Sequence, residues 1–198
     1  MYVTLMRYVV GYVSGVTVLD DIMYVVCAGS STILLYNKDT YRRLDVVIKV
    51  DEMIYPRDIV VCDRQLYIAD SGYYIWRVSV DDHSYVKWLS IESTTHTFYV
   101  HTLSVTSRRL LMTSHVPPTL GQYSTTDAQL LRVVEMPRYV HRLYHSVETT
   151  RGTFVISHGG TSQHEWQTAV SELFRFCHVV FVTMMTVSYL DNTKLIYK

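Results

Sequence analysis

The chain is short of cysteine, of net charge and of long apolar runs, and each shortage closes off a class of protein. Only Cys27, Cys62 and Cys177 occur in 198 residues, far apart and with no Cys-x-x-Cys pair. An odd, scattered set is no disulfide framework; it reads as reduced thiols of an intracellular, cytoplasmic protein. Lys plus Arg number 18 and Asp plus Glu 18, so no overall field draws the chain to nucleic acid or to an anionic membrane. The most apolar stretch, 176–190, is interrupted by His178, Thr183, Thr186 and Ser188. It also falls below the roughly 20 residues that a spanning helix needs, so it reads as strand and not as a membrane anchor. The first residues, Met1 to Arg7, lack the basic start and long apolar core of a signal peptide. No segment sustains a helical apolar period with caps.

What the chain does have is tyrosine, 17 of them, a β-former with an apolar body and a polar tip. It also has an internal repeat. Met23-Tyr24-Val25-Val26-Cys27, Leu66-Tyr67-Ile68-Ala69-Asp70, Leu110-Leu111-Met112-Thr113-Ser114 and Thr153-Phe154-Val155-Ile156-Ser157 resemble one another, and Ile196-Tyr197-Lys198 begins a fifth copy. The large residues Tyr24, Tyr67, Leu111, Phe154 and Tyr197 are spaced by 43, 44, 43 and 43 positions. A fixed spacing along the whole chain marks a repeat architecture.

Upstream of each copy stands another apolar run, separated from it by a polar pair: Asp20-Asp21, Asp63-Arg64, Ser107-Arg108, Thr150-Arg151 and Asn192-Thr193. Strand, short polar turn, strand is a β-hairpin. A third strand is expected at 33–36, 75–80, 120–124 and 166–170, and a fourth at 44–50, 85–91, 130–134 and 176–182. Four short strands in about 43 residues make one blade of a β-propeller. A β-sandwich also has many short strands, but it needs no likeness between successive four-strand units. A β-solenoid needs a shorter period.

The expected fold is therefore all-β: a β-propeller of four-stranded blades, as a partial or small ring, in one domain over 1–198. Its repeats run about 11–53, 54–97, 98–140 and 141–183, with a half-repeat at 184–198. Residues 1–10 read as an outer strand, which in a small ring completes the sheet begun by the C-terminal hairpin at 186–198.

The second repeat carries a more specific pattern. Pro56 precedes an apolar strand, a turn, Leu66-Tyr67-Ile68-Ala69-Asp70-Ser71, a small polar stretch, and Ile75-Trp76-Arg77-Val78. This resembles an NHL repeat. The other copies depart from it: Cys27, Ser114 and Ser157 replace Asp70, and Val13 and Val100 replace Pro56. The resemblance implies a propeller that binds protein partners or ligands, as in tripartite-motif-type animal proteins, where it is the recognition part of a ubiquitin ligase. The zinc-spaced cysteines of that ligase's catalytic modules are missing here. It implies no catalytic residue and no cofactor. NHL propellers of that type also bind RNA, which leaves Arg42-Arg43 and Arg108-Arg109 as candidates, or as solvated turns.

The period also places a site. In an antiparallel pair the start of the first strand lies beside the end of the second, so residues at those points share one end of every sheet. The candidates there are Arg57, Asp58, Ser71, Tyr73, Tyr74, His101, His115 and His158, in the company of Tyr12, Ser14, Asp70, Tyr144 and His145. Tyr and Arg are typical interface anchors. Asp70 and Ser71 equally suit a turn-capping role. His101, His115, His145 and His158 are candidate metal ligands, since neutral imidazole suits zinc. The alternative function is then a metal-dependent lyase or hydrolase with a histidine-lined channel, as in the peptide-amidating lyases, whose propeller is similar. Surface histidines with no common task are the plain alternative. No GxSxG, Walker, GxGxxG or HExxH motif occurs. Cys27 and Cys62 fall at repeat-core positions and read as packing residues.

Overall fold

A computed structural model describes residues 11–71, 73–91, 99–115, 117–136, 140, 142–149 and 154–159, with the strand backbones at 180–183 and 186–189. The described residues form strands and turns, with no α-helix. The first sheet is β1 (Val13–Leu19), β2 (Ile22–Cys27), β3 (Thr32–Asn37) and β4 (Arg43–Lys49); the second is β5 (Pro56–Cys62), β6 (Gln65–Asp70), β7 (Tyr74–Ser79) and β8 (Tyr85–Ser90). The third is β9 (Val100–Thr106), β10 (Arg109–Ser114), β11 (Thr119–Ser124) and β12 (Leu130–Glu135); the fourth is β13 (Arg142–Glu148), β14 (Phe154–Gly159), β15 (Val180–Thr183) and β16 (Thr186–Tyr189). In each sheet the strands follow chain order. The chain divides into two compact units, Met1–Val100 and His101–Lys198.

The repeat holds at the level of single residues. Tyr24, Tyr67, Leu111 and Phe154 are each 2% exposed. All four lie on the second strand of a sheet. The two-residue hairpin turns expected at Asp20-Asp21, Asp63-Arg64 and Ser107-Arg108 are present; Thr150-Arg151 lies outside the described residues. Asp63 and Arg64 have φ of 47° and 59°, Ser107 and Arg108 of 46° and 62°. Positive φ at both central residues is the type I′ turn, whose twist matches that of the flanking strands. Backbone hydrogen bonds recur as well. Lys38 N donates to Asp21 O, Val80 N to Arg64 O and Thr125 N to Arg108 O, each at 3.0 Å.

In the first unit the two sheets share an apolar core that includes Tyr24, Ile33, Leu35, Ile48, Ile59, Ile68 and Trp76. Their first strands approach closely at Gly15. A Cβ there would stand 2.8 Å from both Asp58 Cα and Ile59 N, so only glycine fits against that backbone.

The second unit has its own apolar cluster, Leu111, Leu120, Leu143, Phe154 and Ile156 among others, and beside it a polar seam. Glu148, with its side chain 3% exposed, takes Arg132 Nη2 at 3.1 Å and Arg109 Nη1 at 3.3 Å. Gln122 Nε2 donates to Glu148 Oε2 at 2.5 Å, and Arg132 Nε donates to Gln122 Oε1 at 2.9 Å. Two repeats earlier in the chain, 87 positions, Arg109, Gln122 and Glu148 correspond to Ile22, Leu35 and Val61, which belong to or pack on the first unit's core. One seam position is thus apolar in one unit and a hydrogen-bonded charge network in the other.

The fourth sheet departs from the expected strand assignment. The run 176–182 was expected as the outermost strand, but its described part falls in β15, which is the third strand and pairs with β14 through Phe154↔Val182, Val155↔Phe181 and Ile156↔Val180. The outer strand is β16, which pairs with β15 through Val182↔Val187 and Thr183↔Thr186. Thr186 was expected to open a fifth-copy hairpin instead. The physical reason is the β-forming density of Val180-Phe181-Val182, which takes the place beside β14. The expected strands at 1–10 and 166–170, Tyr197, Cys177 and the turn at 192–193 lie outside the described residues. Cys27 is buried and Cys62 half-buried; burial raises the Cys27 thiol pKa.

Candidate binding end of the sheets

In three of the four sheets the first strand carries a β-bulge at its start. Register shifts between Val13 and Gly15, between Pro56 and Asp58, and between Leu143 and His145. The extra residue is therefore Ser14, Arg57 or Tyr144, and His101 holds the same repeat position on β9. A bulge leaves one residue outside the ladder and re-aims its side chain. Four of the candidate residues, Ser14, Arg57, His101 and Tyr144, owe their placement to this device or to its repeat position.

In the first unit Ser14 uses its hydroxyl structurally, donating to Pro56 O at 2.7 Å. Arg57 does not. It is half-buried, its Cζ lies 5.5 Å from the Tyr55 ring centroid, and its Nε is buried with no hydrogen-bond partner. Tyr55 meets Tyr12 edge-on, ring centroids 6.5 Å apart, with their hydroxyls hydrogen-bonded. That bond, with some burial, raises the Tyr12 pKa, while the Arg57 charge lowers it. A second pair lies at the same end of the sheets: Tyr73 Oη donates to Tyr99 Oη at 2.5 Å, ring centroids 4.9 Å apart. Tyr74 opens β7 and carries Lys87 Nζ 4.4 Å from its ring centroid. Tyr12 and Tyr99 are 63% and 50% exposed, a large exposure for side chains of that size.

Asp70 and Ser71 serve the turn. The Asp70 carboxylate is fully buried and accepts from Tyr55 N at 2.6 Å, Ile54 N at 3.1 Å, Ser71 Oγ at 3.2 Å and Trp76 Nε1 at 3.0 Å. Ser71 has φ of 55° and donates its backbone N–H to Tyr55 O at 3.0 Å. The Asp58 carboxylate accepts from Ile59 N at 2.9 Å.

In the second unit His101 and His115 stack, ring centroids 4.0 Å apart and planes within 5°. Tyr144 meets His115 edge-on at 5.2 Å, and His115 Nδ1 donates to the Leu143 carbonyl. His145 is exposed on β13, and His158 is buried on β14. Among the described residues no three His, Cys, Asp or Glu side chains are grouped to hold a metal ion. Of the basic pairs considered for RNA, Arg109 is bound to Glu148, Arg108 lies in a hairpin turn, and Arg42 and Arg43 are exposed.

The far end of the first unit's sheets is different. Its turns bind one another: Arg64 reaches Asp20 at 3.0 Å and Asp81 at 2.7 Å, and Lys38 reaches Asp21 at 2.8 Å. Sequence reasoning missed Tyr55 and Tyr99 as members of the site. The signal was available, because Tyr12, Tyr55 and Tyr99 repeat at 43 and 44 positions.

Four antiparallel four-stranded meanders with a common core position, three of them described with the same bulge and three with the same two-residue turn, define a protein of β-propeller type. Solved structures agree. The chain is similar to the computationally designed Ika4 protein, with TM-score 0.61, 12% identity, and 78% of this chain and 91% of that one covered. It is similar to the computationally designed Ika8 protein, with TM-score 0.57, 12% identity, and 74% and 42% covered. It is similar to hydrazine synthase of Kuenenia stuttgartiensis, with TM-score 0.61, 16% identity, and 77% and 45% covered. The chain thus spans less than half the length of the last two. No family model matches the sequence. No curated protein matches it. No helix among the described residues is long and apolar enough to cross a membrane.

Proposed function

We propose that the chain is a propeller-type binding scaffold for a protein partner, with degenerate NHL-like repeats, and that it serves as the recognition part of a ubiquitin-ligase-type protein. The binding surface is the bulged end of the first unit's sheets: Arg57, Tyr73 and Tyr74 with Tyr12 and Tyr99. His101 and His115 hold the corresponding end of the second unit's sheets. One observation carries this reading. The bulged end of the first unit presents exposed tyrosine pairs and an arginine, while the far end satisfies its own charges in ion pairs. Tyrosine and arginine supply contact area and directional hydrogen bonds at little entropic cost.

The test is capture of partners on immobilised protein, comparing wild type with Tyr73→Ala and Tyr74→Ala at the bulged end, and with Asp21→Ala at the far end. Loss of a stoichiometric partner with the tyrosine variants alone supports the reading. Loss with Asp21→Ala alone, the tyrosine variants binding normally, overturns it.

A further inference from the structure

We propose that Arg57 is the receptor for an anionic oxygen group, a carboxylate or a phosphate, carried by an acidic protein segment, and that the Tyr12–Tyr55 pair is the wall beside it. This rests on the bulged end being the partner surface, and names the chemistry recognised there. The repeat supplies the first argument. At the equivalent bulge Ser14 donates to Pro56 O at 2.7 Å, and Tyr144 packs on His115. Arg57 occupies that position with no hydrogen bond or ion pair among the described residues, and its Nε is buried without an acceptor. Other cations of the first unit are held internally: Lys87 by Glu52 at 3.1 Å, Lys49 by Asp51 at 2.5 Å and Arg64 by Asp20 and Asp81.

A partly desolvated guanidinium without an acceptor is a poor structural element and a good receptor, because its planar fork matches carboxylate and phosphate oxygens two at a time. The Tyr55 ring, 5.5 Å from Cζ, fixes one side of the fork and offers its face and edge to a neighbouring side chain of the ligand. A nucleic acid would need several phosphates neutralised along a track. A single half-buried guanidinium with no hydrogen-bond or ion-pair partner among the described residues, lying against Tyr55, fits instead one acidic side chain flanked by apolar or aromatic neighbours.

The test uses the ¹⁵N-labelled chain and follows the Arg57 Nε–H resonance, with the backbone amides of Tyr55 and Asp58 as the readout shared by wild type and the Arg57 variants. The probes are a Gly-Ser-Asp-Tyr-Glu-Gly-Ser peptide, its Asn/Gln counterpart, its phosphotyrosine form, inorganic phosphate and oligouridylate. The expected result is a saturable shift with the acidic peptide and none with its amide counterpart. Arg57→Lys then weakens binding at least about fivefold, because the fork is lost while the charge remains. Arg57→Ala abolishes binding with the melting midpoint unchanged. Tighter binding of the phosphotyrosine form, with a shift by inorganic phosphate, identifies the anion as phosphate; equal binding of the two acidic forms identifies it as carboxylate. Equal binding of acidic and amide peptides, no shift with any peptide, or preference for oligouridylate overturns the inference. If a captured partner is lost with Tyr73→Ala but not with Arg57→Ala, this inference fails while the bulged end stands as the partner surface.

Discussion

The indole N–H of Trp76 donates to the Asp70 carboxylate across 3.0 Å, on a carboxylate that no solvent reaches. The same group takes the backbone N–H groups of Ile54 and Tyr55, so one side chain ties the segment entering β5 to the end of β6 and to a core tryptophan. Asp70→Ala leaves these buried donors without an acceptor and is expected to cost about 3 kcal/mol or more. Asp70→Asn keeps one acceptor oxygen and should cost less. Chemical denaturation of the two variants, with Trp fluorescence as the probe, checks the order.

Gly15→Ala should destabilise the first unit by roughly 1–3 kcal/mol, since the added methyl meets backbone and not a movable side chain. Amide exchange should quicken on β1 and β5 and not on the strands of the second unit. Uniform quickening would show that the close approach is not what the glycine serves.

The Glu148 network should behave asymmetrically. Glu148→Ala strands two arginines and is expected to cost about 3–5 kcal/mol, as for other broken buried pairs. Replacing the group with the first unit's apolar pattern, Arg109→Ile, Gln122→Leu and Glu148→Val together with Arg132→Met, should return the melting midpoint to the native value or above. A quadruple variant less stable than Glu148→Ala contradicts this account.

Asp82 sets an acid limit. Hydrogen bonds from the Ser79 hydroxyl, then from the Ser84 hydroxyl and N–H, hold its carboxyl down to about 2, below the ordinary value of about 3.9 that it regains on unfolding. A lowered folded pKa stabilises the protein above the unfolded value, and this is lost as pH falls through the folded one. The melting deficit of Asp82→Ala should be constant at neutral pH, shrink below about pH 4 and be small near pH 2. A deficit independent of pH places the effect in loop packing and not in charge.

Tyr67 and Tyr73 separate fold from surface. Tyr67 is buried and meets Trp88 edge-on at 5.1 Å, so Tyr67→Ala should cost about 3–5 kcal/mol of stability. Tyr73→Ala should leave the midpoint within about 0.5 kcal/mol of native and weaken partner binding by about 1–2 kcal/mol.

The blades were legible in the sequence because burial repeats. Tyr24, Tyr67, Leu111 and Phe154 keep one spacing since each fills the same core position, and the polar pairs between strands mark the turns. In the fourth sheet two runs compete for the third place, and period alone does not rank them. The bulges were hidden, since an extra residue in one strand looks in the sequence like any other residue of that strand. The Glu148 network left a trace that a residue-by-residue comparison of repeats exposes: polar residues at positions that are Ile22, Leu35 and Val61 elsewhere. Positions along the chain do not show which histidines meet; among the described residues His101 and His115 stack.

The recurring bulge bears on how such a chain can diversify. A residue that stands outside the ladder contributes little to register, so its identity can drift at small cost to folding. Ser14, Arg57, His101 and Tyr144 are four different chemistries at one repeat position. The scaffold thus separates the residues that must stay constant from those free to become specific. A new recognition preference is therefore reachable by single substitutions, without rebuilding a blade.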